Sequence, residues 1–300
     1  MKKKMTALLM VSVMAASLMA CGGKGADSSA AAPADSAVSA PASTAAPASE
    51  TASVPAASEA AEAESDLAYV QQKGKLVVGI TDFEPMDYRG EDGDWIGFDA
   101  DMAKAFGESL GVEVEFVEID WDNKILELDG KTIDCVWNGM TLTDEVTSAM
   151  ECSNPYFNNA QVVILPSDVA EDYESVEDLA DLTFAVESGS AGEAVIADLE
   201  YDYIPVKAQS DALMEVAAGT SDAAVIDLLM AMAMTGEDTS YEDLTYTIEL
   251  NSEEYGVGFR KGSDLAAVLD EYFAAAYEDG TMAEIAEEYG IDAEAALIEQ

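Results

Sequence analysis

The sequence predicts an α/β protein of two lobes, each built on a central, mostly parallel sheet, with a cleft between them. Two observations carry this. From residue 68 onward, apolar runs of strand length alternate with amphipathic stretches of helix length, the pattern of layered α/β domains. Beyond residue 160 the alternation starts again, which gives a second block. In open sheets of this kind, ligands bind beyond the carboxyl ends of the strands, so two such blocks place a site where their strand ends face each other.

The elements follow in order. Leu76 to Ile80 is a continuous apolar run and reads as a buried strand. Phe98, Met102, Phe106 and Leu110 recur every four residues, so they share one face of a helix. Val112 to Ile119 alternates as a strand, Trp121 to Leu128 is a short helix, and Ile133 to Trp137 is another strand. In the second block, Val162 to Leu165, Thr183 to Val186, Tyr203 to Val206 and Ala223 to Ile226 read as strands. Helices at 175–182, 190–200 and 210–219 separate them. A final helix carries Leu265, Val268, Leu269, Tyr272, Phe273 and Ala276 on one face.

The N-terminus reads as an export signal over residues 1–20. Met1 to Lys4 is basic, and Ala7 to Ala16 is apolar but short for a membrane span. Leu18-Met19-Ala20-Cys21 is similar to a bacterial lipobox, which makes Cys21 the acylated residue; the alternative is an ordinary signal that happens to contain a cysteine. Each buried acyl methylene contributes about 0.8 kcal/mol, so two chains anchor a protein to a membrane. Residues 21–65 are rich in Ala, Ser, Pro and Thr and lack the apolar bulk for a core, which predicts a flexible linker. The 300 residues carry 61 Asp plus Glu against 13 Lys plus Arg, a formal net charge of -48. That field repels nucleic acid and anionic membrane surfaces and excludes them as partners. No motif for a cofactor or metal is present, and the absence of His removes the usual neutral-pH acid–base catalyst.

Several motifs now align. Gly97-Phe98-Asp99-Ala100-Asp101, Asn138-Gly139-Met140-Thr141-Leu142-Thr143, Ser153-Asn154-Pro155-Tyr156, Gly256-Val257-Gly258-Phe259-Arg260 and Asp279-Gly280-Thr281 occur in this order. In order and spacing they resemble family 3 of the bacterial extracellular solute-binding proteins, from about Gly74 to Gly290. The resemblance implies a type II periplasmic-binding-protein-like fold. It implies a first lobe from 66–160 with 255–300, a second lobe at 161–254, and hinges near Asn159-Ala160 and Asn251–Glu254. It implies a small polar ligand, an amino acid or related amine, and ABC permease subunits as partners, with the protein a monomer on the outer face of the cytoplasmic membrane.

Residue by residue, the resemblance places Phe83 and, less directly, Trp121 as rings that stack on the ligand; the alternative for each is a core aromatic. Asn138, Gly139, Met140 and Thr141 fall on the first-lobe side of the cleft, with Thr143 also readable as the N-cap of a helix starting at Asp144. Ser190 and Ala191 start a helix whose free N–H groups favour an anion. Asp227 matches the acid that receives an ammonium, and Glu187 stands where the ligand's side chain is met. One position departs: Val146 occupies the place of an Arg that grips the α-carboxylate, and no Lys or Arg occurs between Thr132 and Val206. Asp82, Glu84, Asp87 and Asp227 are expected around the cleft. Two ligands remain open, an amino acid held by backbone N–H groups near Thr143–Val146 and Ser190–Ala191, or an amine without that carboxylate. A ligand sensor without transport and an enzyme on the same fold are the alternatives from other classes, the enzyme being disfavoured. Cys135 and Cys152 are open to pairing or to remaining free thiols.

Overall fold

The computed structural model describes residues 65–300; the predicted signal, Cys21 and nearly all of the linker lie outside the described residues. The chain enters through α1 (Asp66–Lys73), capped by Ser65. Ser65 Oγ donates to Asp264 Oδ2 (2.5 Å), Leu67 N to Asp264 Oδ1 (2.9 Å), and Arg260 pairs with Asp66 (3.0 Å). The start of the described chain is thereby fastened to its C-terminal third.

In chain order there follow β1 (Lys75–Ile80), the small strands β2 (Tyr88–Arg89) and β3 (Trp95–Ile96), α2 (Phe98–Leu110), β4 (Glu113–Glu118), α3 (Lys124–Asp129), β5 (Cys135–Thr141), α4 (Asp144–Ala149), β6 (Glu151–Cys152) and β7 (Phe157–Asn159). The second block runs β8 (Gln161–Pro166), β9 (Thr183–Glu187), α5 (Ala191–Asp198), β10 (Asp202–Val206), α6 (Gln209–Ala217), β11 (Ala223–Asp227), α7 (Leu228–Met234) and β12 (Leu244–Glu249). The chain returns with β13 (Glu253–Phe259), α8 (Leu265–Glu278), α9 (Thr281–Glu288) and α10 (Ala293–Ala296).

Two sheets result, one per lobe. The first has the order β4-β1-β5-β13-β6, with β7 also on β13; the second has the order β10-β9-β11-β8-β12. The α/β prediction holds, and the strand directions refine it. In each sheet three parallel strands (β4, β1, β5 and β10, β9, β11) meet antiparallel neighbours, so both sheets are mixed. Two crossovers link the sheets: only Ala160 separates β7 in one sheet from β8 in the other, and only residues 250–252 separate β12 from β13.

Packing follows the sequence pattern. Phe98, Met102 and Phe106 are fully buried on α2, and Leu265, Leu269 and Phe273 on α8. Both helices cover one core, in which Trp137 stands edge-on to Phe273 with ring centroids 5.5 Å apart. Two expected elements differ. The helix at 175–182 is only a 3-10 turn, Val176–Leu179. The strand expected to end at Trp137 runs on to Thr141, because β13 pairs with its polar end, Tyr255 with Thr141 and Gly256 with Met140. Cys135 and Cys152 are free thiols, and burial raises both, Cys152 to about 11.

Candidate functional site

The carboxyl ends of β5, β9 and β11, the loop after β1, and the starts of α3, α4 and α5 converge on one cavity of about 210 Å³ between the lobes. That is below the roughly 300–1,000 Å³ of sites for drug-sized ligands, so it suits a smaller molecule. Phe83, Trp121, Asn138, Gly139, Met140, Thr141, Val146, Glu187, Ser190, Ala191 and Asp227 all line it. These eleven residues are thus brought together around one cavity.

The first-lobe wall is built around a carboxylate that does not reach the cavity. Asp99, fully buried, accepts from Trp137 Nε1 (3.1 Å), Gly139 N (2.6 Å) and Tyr156 Oη (2.8 Å). Three of the aligned motifs therefore meet at one side chain. Burial raises its pKa to about 7 against the pull of those donors. Asn138 is also committed to the scaffold. Its Oδ1 accepts from Thr81 N and Oγ1 (both 2.9 Å), and its Nδ2 donates to Thr81 O (3.0 Å) and Asp87 Oδ2 (2.9 Å). Gly139 has φ +54°, and a β-carbon there would lie 2.5 Å from Phe83 Cε1. Glycine is what lets the Phe83 ring lie against this strand end.

The expected ring of acids is narrower than the sequence suggested. Asp82 and Glu84, on either side of Phe83 where the chain enters the turn at 84–86, line a separate surface hollow with Arg89 and Trp95. Asp87 is turned into the core toward Asn138. Among the four acids named from the sequence, Asp227 alone lines the cavity.

Asp227 sits at the end of β11 in a cradle of amides. Asn159 Nδ2, Gln161 Nε2 (2.8 Å) and Gln209 Nε2 donate to its carboxylate. Burial first, and then Glu253, hold its pKa well above the usual carboxylate range. Asn159 and Gln161 also donate to Glu253 Oε1 (both 2.7 Å), which accepts from Thr141 Oγ1 as well (2.9 Å). Glu187 ends β9 only 2% exposed, and its Oε1 has no hydrogen-bond partner among the described residues. Burial raises it to about 8, with Lys124 pulling the other way.

The two helix starts differ. At α4, Thr143 caps as expected and takes the Val146 N–H on its Oγ1 (3.2 Å), so that N–H is already engaged. At α5, Ser190 Oγ takes the Glu193 N–H (3.1 Å). Val146 itself is 4% exposed and packs with Met140 and Trp121.

Sequence reasoning missed Lys124 and Gln209, which both line the cavity. Lys124, at the first turn of α3, is 7% exposed. Its Nζ donates to Trp121 O (3.2 Å) in its own lobe and to Gly189 O (2.8 Å) in the other, and stands 5.0 Å from the Trp121 ring centre. The signal for Lys124 in the sequence is the Trp121-x-x-Lys124 spacing, which puts both on one helical face. Among the described residues no group of His, Cys, Asp or Glu is arranged to hold a metal ion.

Comparisons with known proteins find relatives that are binding proteins by name. The chain is 28% identical over 236 residues to the L-cystine-binding protein of Escherichia coli K12, covering 75% of this chain and 86% of that one. It superposes on an ABC uptake transporter substrate binding protein from Streptococcus pneumoniae with bound histidine at a TM-score of 0.69 and 29% identity, covering 75% of this chain and 96% of that one. A shorter match, 29% over 133 residues, 43% of this chain and 50% of that one, is to the cyclohexadienyl dehydratase of Pseudomonas aeruginosa, an enzyme by name. The family model for bacterial extracellular solute-binding proteins, family 3, matches residues 76–292, and with the motifs and the interlobe cavity in place, the chain belongs to that family.

Proposed function

We propose that this protein is the lipid-anchored, extracellular receptor of an ABC importer, closing two lobes on a small polar amino acid or related amine and presenting it to the membrane permease. The lobes comprise 66–160 with 255–300, and 161–254, and they swing on the crossovers near Asn159-Ala160 and Asn251–Glu254. Cys21 carries the lipid, and residues 21–65 tether the monomer outside the membrane.

One observation carries the ligand class. A small cavity lined by the Phe83 and Trp121 rings contains two buried carboxylates, Glu187 with an unpartnered oxygen and Asp227. A buried acid without a partner costs several kcal/mol, and an ammonium or other donor from a ligand removes that cost by a charge-assisted bond. Asp227 takes the ligand amine and Glu187 its side chain, while Phe83 and Trp121 pack its apolar part. Thermal-shift and calorimetric screening of the full chain against amino acids, amines and short peptides tests this. Saturable binding of an amine-bearing ligand supports it; binding only of uncharged or anionic solutes removes it.

The enzyme alternative has one observation behind it, the match to a named dehydratase. We place it second, because the sequence has no His and burial raises both described thiols, leaving them unreactive. Turnover of the bound ligand, followed by product analysis, would reverse the order.

A further inference from the structure

We infer that Glu253, at the start of β13 and outside the cavity lining, is a positioning residue for ligand capture: it holds the two amides that steady Asp227, and so ties the ligand to both crossovers. This rests on the binding reading above, in which Asp227 takes the ligand's amine, and names what acts through that acid.

Four side chains form a closed ring. A carboxamide NH2 has two hydrogens to donate. Asn159 Nδ2 gives one to Asp227 Oδ1 and one to Glu253 Oε1 (2.7 Å). Gln161 Nε2 does the same, at 2.8 Å and 2.7 Å. Both amides are fully used as bridges between the same two carboxylate oxygens, so neither acid moves without disturbing both. Asn159, Gln161 and Asp227 are all buried, which leaves little solvent to replace a lost bond.

The ring is assembled from four strand ends. Asn159 ends β7 and Gln161 opens β8, on either side of Ala160; Asp227 ends β11, and Glu253 follows the second crossover directly. Asn251 draws that second crossover in, with its Oδ1 accepting from Gln161 N (2.8 Å) and its Nδ2 donating to Glu253 Oε2 (3.1 Å). Thr141, on the first-lobe wall of the cavity, donates to Glu253 Oε1 (2.9 Å). One carboxylate outside the cavity therefore touches a wall residue, both crossovers and, through two amides, the acid that meets the ligand.

Electrostatics give the ring its sensitivity. Two buried carboxyls this close resist ionising together, and burial first, then Glu253, hold the Asp227 pKa well above the usual range. Tyr255 is buried beside both acids, and burial and then their charges push its hydroxyl up as well. Across the cavity stand Asp144, Glu145 and Glu187, with Lys124 as the cation. A ligand cation on Asp227 favours its charged form. The amide bridges then become charge-assisted at both ends, and the bonds that strengthen are those that clamp the crossovers.

Calorimetry on the full chain tests this, with the tightest-binding solute among the twenty L-amino acids, agmatine, cadaverine and histamine as probe. Glu253→Ala should weaken the probe tenfold or more. Glu253→Gln keeps an acceptor for both amides and should stay within fivefold of wild type. In an Asp227→Asn background, Glu253→Ala should cost less than threefold, because its effect runs through Asp227. A purely structural role predicts the same loss with or without Asp227. Hydrogen exchange supplies a second readout. The probe should slow exchange over 157–163 and 247–256 in the wild type, and in Glu253→Ala should protect 187–194 alone. Should Glu253→Ala fail to fold, Gln161→Ala replaces it in both experiments with the same expectations. Wild-type affinity in Glu253→Ala, a loss that is equal whether or not Asp227 is replaced, or unchanged protection of both crossovers overturns the inference and leaves the ligand-class reading standing. Failure of every amino acid and amine to bind the wild type overturns that reading, and this inference with it.

Discussion

Asp122 lies so close to Gly189 that a β-carbon on Gly189 would come within 2.7 Å of Asp122 Cα and 2.9 Å of its Cβ. One residue belongs to the first lobe and the other to the second, so this is a backbone-to-backbone approach across the cleft. Gly189 also has φ +73°. Gly189→Ala is therefore expected to hold the lobes apart and weaken ligand binding tenfold or more. Gly219→Ala is the control, with φ +70° and open space around it. It carries the same backbone strain, about 1–2 kcal/mol, with no contact to disturb. Calorimetric titration of both variants checks this, and equal affinities would show that the approach does not limit closure.

Glu187 makes the ligand-free protein sensitive to pH. Its carboxyl is raised to about 8 by burial, from an ordinary 4.5. Between these values the folded chain holds a proton that the unfolded chain has lost, so this group's contribution to stability falls as pH rises. It is fully present below about pH 4.5 and gone above about 8. The wild type should thus lose stability relative to Glu187→Gln between pH 5 and 8, as read from paired denaturant midpoints. A cationic ligand group reverses the effect by favouring the carboxylate. Binding near pH 7 should then release a fraction of a proton, visible as a dependence of the calorimetric enthalpy on the buffer.

Asp99 serves three donors at once. Asp99→Ala leaves Trp137 Nε1, Gly139 N and Tyr156 Oη buried without it. Each such loss costs about 1–3 kcal/mol, so a fall of about 3 kcal/mol or more in unfolding free energy is expected. A change under 1 kcal/mol in urea unfolding would mean that water replaces the carboxylate.

Asp227→Ala should weaken binding of amine-bearing ligands at least tenfold, about 1.4 kcal/mol. Asn159, Gln161 and Gln209 then keep their amides but lose a shared acceptor, so a modest loss of stability accompanies it. Comparing melting temperatures with and without ligand separates the two effects. Unchanged affinity would remove Asp227 from the site.

How far the site could be read in advance depended on where each residue's partners lie. Phe83, Glu187 and Asp227 follow apolar runs that read as strands, and the resemblance to the family marked them as ligand-facing. Asn138 sits in the same place, yet its amide is used up by Thr81 and Asp87, both more than 50 positions away; no local pattern encodes that. Lys124 escaped for a related reason. Its burial depends on Gly189, 65 residues later, and an isolated lysine on a short helix otherwise belongs in water. The antiparallel halves of both sheets were hidden because β12 mixes three apolar with three polar residues and β13 opens on two Glu and carries two Gly, patterns that encode no strand direction.

The fastening of α1 gives the molecule a frame of reference. Ser65, Asp66 and Leu67 are bound to Arg260 and Asp264, which belong with the first sheet. If the lobes swing on the two crossovers as proposed, whatever holds the chain upstream of Ser65 holds the first lobe, and opening and closing becomes the excursion of β8 to β12 alone.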